Sequence, residues 1–126
     1  MRLSILLATL AVSSASAGAQ LQRFDLECAD TVETNGDAEA PYVAHYRIDL
    51  VVKRWCEDEC RAVKSLADVQ SSFITLEGQP NSEFWHAIDR EKGEDQIFSS
   101  LGVTKHTTGS CIRKPFSGFP NFKTKF

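Results

Sequence analysis

Four cysteines, Cys28, Cys56, Cys60 and Cys111, all lie downstream of an apolar leader in a chain of 126 residues. An even cysteine count in a short exported chain reads as a disulfide framework; in a reducing compartment the same residues would suggest metal or redox chemistry. The framework matters because a small domain has a modest core and gains much from cross-links. Met1 and Arg2 form a minimal positive start, and Leu3 to Val12 is an apolar run of about ten residues, the length of a signal-peptide core. A membrane-spanning helix needs roughly 20 apolar residues. Small residues follow from Ser13, and the small-x-small rule is met by a cut after Ala17 or after Ala19. Residues 1–19 are therefore expected to be a cleaved signal peptide, and the protein to be exported, to the periplasm or outside the cell.

What remains is one domain, with 20–114 as a disulfide-stapled β unit and 115–126 as an aromatic and basic tail. The net charge of −3 becomes about −4 without the leader, which carries one Arg and no acid. A general nucleic-acid binder would be basic, so no nucleic-acid partner is expected, and no membrane span in the mature chain. The charge is unevenly placed. Asp25 to Glu39 holds six acids and no Lys or Arg, while Lys105 to Phe126 holds five bases and no acid. Pairing of a basic last strand with an acidic first one accounts for this without a ligand; an acidic partner for the tail is the alternative.

Period-two alternation dominates the chain. Phe24, Leu26 and Cys28 alternate with Asp25 and Glu27, which predicts a short half-buried strand. Ala29 to Pro41 reads as an acidic loop with Asn35-Gly36-Asp37 as its turn. Tyr42, Ala44, Tyr46, Ile48, Leu50 and Val52 form one face of the strongest strand. Trp55 to Arg61 interrupts the pattern, with Glu57, Asp58 and Glu59 as an exposed tip between two cysteines. Ser65 to Gln70 fits helix or strand. Strands follow over 72–77, 83–90, 95–101 and 107–114, separated by Gly- and Pro-marked turns. The fold class expected is all-β: an antiparallel meander of about six or seven strands, curled into a partly open barrel or a small sandwich, with two disulfides.

Four cysteines allow three pairings. A Cys56–Cys60 bridge would staple the acidic tip, and Cys28–Cys111 would tie the first strand to the last. The long bridge closes a loop of about 84 residues, worth on the order of 4–5 kcal/mol in the chain-entropy description. Zinc would want closer cysteine or histidine pairs, and a redox site would want Cys-x-x-Cys at a helix start. Cys56-x-x-x-Cys60 with three acids inside it suits neither, so no metal and no cofactor are expected. His86 lies on the Phe84/Ile88 face and reads as a core or edge histidine; His45 points to solvent. No nucleophile elbow, zinc-protease helix or phosphate loop is present in the sequence. A site assembled across strands is invisible to spacing, so an enzyme stays open as a third reading.

The residues singled out for partner binding are Glu57, Asp58 and Glu59 at the tip, and Phe116, Phe119, Phe122, Lys123 and Lys125 in the tail. The tail's rings could form a recognition surface or fold back to plug an open end of the sheet; its two prolines exclude a regular central strand. The succession Phe24…Cys28, Ile48-Asp49-Leu50…Trp55-Cys56…Cys60, Ile74-Thr75-Leu76, Ile88-Asp89-Arg90…Gly93 and Gly109-Ser110-Cys111…Phe116-Ser117-Gly118-Phe119-Pro120 resembles small exported bacterial proteins without assigned function. That resemblance implies the cell envelope and transfers no catalytic residue. A weaker likeness is to periplasmic lysozyme inhibitors, also short disulfide-bonded β-barrels, whose inhibitory motif is not identifiable in this chain. The leading expectation is a non-catalytic binding or structural module of the cell envelope, bound to a protein or envelope component. The alternative is a proteinaceous inhibitor of an extracellular or periplasmic hydrolase that presents the 56–60 tip.

Overall fold

A computed structural model describes residues 22–121; the leader expected over 1–19 lies outside the described residues, as do Phe122, Lys123 and Lys125. The domain is all-β. Its strands are β1 (Arg23–Thr34), β2 (Asp37–Ala38), β3 (Tyr42–Asp49), β4 (Arg54–Glu57), β5 (Lys64–Ser65), β6 (Asp68–Val69), β7 (Phe73–Gly78), β8 (Phe84–Asp89), β9 (Glu94–Ser99) and β10 (Lys105–Pro115). The sheet runs β5-β4-β3-β1-β10-β9-β8-β7-β6, antiparallel throughout, with β2 on β1. Chain neighbours pair as in a meander, but β1 pairs β10, so the gap in the sheet falls between β5 and β6.

That gap is spanned by only two residues. Leu66 N–H donates to the Lys53 carbonyl at one edge and Ala67 N–H to the Thr75 carbonyl at the other, both at 2.9 Å. Lys64 Nζ reaches Glu77 Oε1 across the same seam, 2.7 Å away. A chain this short cannot reach far, so the sheet must curl into a half-barrel whose two edges approach each other. The curl brings β3 and β8, distant in sheet order, face to face: the Tyr46 and His86 rings are 5.3 Å apart and Trp55 lies edge-on to both.

Alternation fills the interior. Phe24, Leu26 and Cys28 from β1, Ala44, Tyr46 and Ile48 from β3, Trp55 from β4, Leu66, Ile74 and Leu76, and Ile88 from β8 form one buried cluster. Cys28 sits directly opposite Cys111 in the β1–β10 ladder and is bonded to it; Cys56 is bonded to Cys60. The pairing expected from the strand pattern is thus the one found. β1 also lies against β10 as the charge distribution suggested, with Asp25 opposite Lys114 and a Lys114–Glu27 ion pair.

Three segment readings need correction. Ala29 to Thr34 is strand, not loop: β1 runs twelve residues and only Asn35–Gly36 turns, both at positive φ. β3 ends at Asp49 rather than continuing to Val52, because Asp49 Oδ1 accepts the Val51 and Val52 N–H groups and starts a turn completed by Lys53 at φ 56°. Leu101, expected on a strand face, is exposed beyond the end of β9. The ambiguous stretch 65–70 supplies the seam and two short edge strands.

Candidate functional site

The acidic tip grows out of β4. Asp58 N–H donates to the His45 carbonyl at 2.8 Å, extending the β3–β4 ladder by one rung, and Cys60 N–H closes a turn onto the Glu57 carbonyl. Asp58 and Cys60 both take positive φ, 51° and 56°, a conformation that aspartate tolerates better than most residues. The disulfide then fixes the loop from inside: Cys56 and Cys60 are buried while Glu57, Asp58 and Glu59 are exposed. Among the described residues Glu59 pairs with Arg61, both largely in solvent, and Lys64 lies 3.9 Å from Glu57. Such surface pairs add little stability, so the three carboxylates remain open to an incoming cation. They line, with Arg61, Ala62 and Lys64, a shallow concavity of about 600 Å³.

The tail does fold back, but onto the outer face of β1 and β3 rather than into an open end of the sheet. Ser117 donates through both its N–H and its hydroxyl to Asp25, and Arg47 donates to the Gly118 carbonyl. Phe116 and Phe119 stack edge-on, 5.3 Å between centroids, and are half-buried. Tip and tail, singled out separately in the sequence, border one groove: Asp58 from the tip and Ser117 from the tail flank a space of about 240 Å³ whose charged lining is mixed, with Asp25 and Glu27 beside His45, Arg47 and Lys114. Phe122, Lys123 and Lys125 belong to the same tail beyond the described residues.

Inside the half-barrel lies a second constellation that sequence reading missed. Asp95 of β9 is fully buried. Its Oδ2 accepts the Tyr46 hydroxyl at 2.6 Å and its Oδ1 faces His86 Nε2 at 2.9 Å. Asp30 of β1 is also fully buried, and neither of its carboxyl oxygens has a donor among the described residues. The two acids share a row of the sheet with β10 between them: Asp30 stands opposite Gly109, and Gly109 opposite Asp95. A Cβ at Gly109 would collide with Asp30 Oδ1 and with the Ala29 carbonyl, so the absent side chain makes the space into which the Asp30 carboxyl reaches, toward Asp95.

The electrostatics follow. Burial, then the hydrogen bond and charge of Asp95, push Asp30 up to about 8. Burial pushes Asp95 up as well, but hydrogen bonds from His86, Asp30 and Tyr46 outweigh it and hold Asp95 below the usual carboxylate range. Burial and the Asp95 charge drive the Tyr46 hydroxyl far upward, so it stays a donor. Tyr42, opposite Asp30 on β3 and 42% exposed, is raised by burial and by the charges of Asp30 and Asp95, with Thr107 opposing the rise. Sequence reading took Asp30 for a loop residue because the segment is acidic. The available signal was parity: Leu26, Cys28, Asp30 and Val32 continue one face.

Among the described residues no group of His, Cys, Asp and Glu is arranged to hold a metal ion, and no helix is long and apolar enough to cross a membrane. Comparison with protein families, with curated proteins and with solved structures finds no match for this chain.

Proposed function

We propose that this protein is a non-catalytic binding module of the cell envelope, exported by its leader, which docks a basic surface of a protein partner on the acidic tip and the groove beside it. One observation carries the reading: the Cys56–Cys60 bridge holds three exposed carboxylates in a fixed loop at the rim of the groove that the tail also borders. A preformed loop loses little entropy on binding, and acids facing solvent steer cationic partners at low salt. Two disulfides suit an oxidising compartment, in keeping with the resemblance to small exported bacterial proteins. Catalysis gains no support from the interior, since Asp30 and Asp95 expose no surface to a substrate.

The test is site-specific photo-cross-linking in the envelope, with the photoreactive residue at position 62 beside the tip or at position 81 in the β7–β8 turn. The expected result is a discrete protein adduct from position 62 and none from 81. In the Glu57→Gln/Asp58→Asn/Glu59→Gln variant, correctly folded by circular dichroism, the position-62 adduct should fall by at least tenfold. Equal adducts from both positions, or an adduct that survives neutralisation of the tip, would remove the reading. The captured partner also decides the narrower alternative: a hydrolase that loses activity in the adduct identifies the tip as an inhibitory loop.

A further inference from the structure

The buried acids carry an inference that owes nothing to the tip or its partner. Asp95 already has a donor on each oxygen, from Tyr46 and His86. Asp30 has none, although it is wholly withdrawn from water. A buried ionised carboxylate without a donor costs several kcal/mol, and two of them abutting across Gly109 would also repel. Among the described residues no lysine or arginine lies within ion-pair distance of either. Among the described groups the hydrogen-bond count closes with Asp30 itself as the donor, as a carboxylic acid, and Asp95 as the acceptor. We infer that Asp30 and Asp95 form an acid–carboxylate pair that holds one proton across Gly109, a proton-binding site in the core that ties the firmness of the fold to pH.

The groups facing this site from each packed element are few. β3 contributes Tyr42 and Tyr46, β8 contributes His86, and β10 contributes Thr107 and the bare backbone of Gly109; Asp58 of the tip acts on it only through Tyr42. Of the side chains Tyr42, Tyr46, His86 and Thr107, Tyr42 has the greatest access to solvent, 42% exposed. Asp30 is pushed up to about 8 by burial and by Asp95, whereas in the unfolded chain it titrates near 4. Between these values the folded state holds one proton more than the unfolded state, so stability falls as pH rises through that window. Asp95 acts oppositely: held low, it contributes stability above the ordinary carboxylate range, which is lost as pH falls through its depressed value. The fold is firmest in mildly acidic solution.

Carboxyl carbon NMR of the aspartate-labelled mature protein, titrated from about pH 3 to 9, reads the site directly. The expected result is one buried aspartate that stays protonated at pH 6 and ionises near 8. Thermal melts give the second readout: Tm of the wild type falls by about 10 °C or more between pH 5 and 9. In Asp30→Asn it is nearly flat over that range, since the amide donates the same bond with no proton to lose. An Asp30 carboxyl ionised at pH 6, or an Asp30→Asn variant with the wild-type slope, overturns the inference. Should that variant not fold, the carboxyl titration alone decides.

Discussion

Position 109 shows how one missing methyl group can shape an interior. Most interior positions of β10 and its neighbours carry side chains that fill space, whereas Gly109 leaves a gap that the Asp30 carboxyl enters, in the row it shares with Asp95. Gly109→Ala should therefore destabilise more than strand propensity predicts. Alanine normally improves on glycine in a strand, yet here its Cβ must displace Asp30 or the β1 backbone, as any overpacking does. A loss of about 2–4 kcal/mol by urea unfolding is expected; a neutral or stabilised variant would show that the acids do not need the gap. Asp30 is also where sequence reasoning failed most instructively. Polarity argued for a loop, and parity argued for the core. Parity was the better guide, because the pleat assigns a face to every residue whatever its chemistry, and the cost of burying an acid can be met by a partner that only the folded sheet supplies. Asp95 was hidden for a similar reason: His86 lies on the adjacent hairpin strand β8, but Tyr46 comes from β3, 49 residues away, and only the curled sheet brings it to the carboxylate.

At the level of elements, the long cross-link and the short one do different work. Cys28–Cys111 joins the first strand to the last across a separation of 83 residues, and Cys56–Cys60 spans four. In the chain-entropy description the former restricts the unfolded chain by about 4–5 kcal/mol and the latter by about 2 kcal/mol. Replacing Cys28 and Cys111 by serine should lower the urea midpoint about twice as much as replacing Cys56 and Cys60, whose loss falls on the shape of the tip. Equal losses would mean that native packing rather than chain restriction sets both. These pairings were legible because alternation placed Cys28 and Cys111 on core faces of terminal strands, and the acids between Cys56 and Cys60 marked a turn. Strand ends were less legible. β3 has an apolar pattern that runs past Asp49, but the Asp49 carboxylate captures two backbone N–H groups and turns the chain before the pattern ends.

For the whole molecule, what matters is where the sheet is cut. A simple meander ends where the chain ends; here the ends of the described chain are paired, Phe24 opposite Pro115, and the break lies mid-chain at Leu66–Ala67. Circular permutation separates the two. Joining residues 121 and 22 with a short flexible linker and opening the chain at Asn81–Ser82, in an exposed turn, should give a folded domain within about 1–2 kcal/mol of the parent. Opening it at Leu66–Ala67 should cost several kcal/mol more, because that peptide bond alone carries the chain from one edge to the other. Equal stability of the two permutants would mean the edges hold together without it. The sequence did forecast an all-β curl, of six or seven strands where the structure has ten, the excess being the two-residue strands β2, β5 and β6. It could not forecast the position of the break, since Ser65 to Gln70 is too short for its spacing to decide between helix and strand, and what fixes it is its two backbone bonds to opposite edges.

The β1–β10 pairing also sets an order of events in time. Synthesis delivers β1 first and its partner β10 last, with every other strand in between, so the central ladder of the sheet is the contact that must wait longest. Contacts of such long sequence separation slow folding, and until they form, the twelve residues of β1 present an open edge on the side that β10 will cover, where stray strands can add. The acids that line that strand, Asp25, Glu27, Asp30 and Glu33, then have a second use. They keep a lone β1 charged and poorly suited to self-association during the interval before its partner arrives.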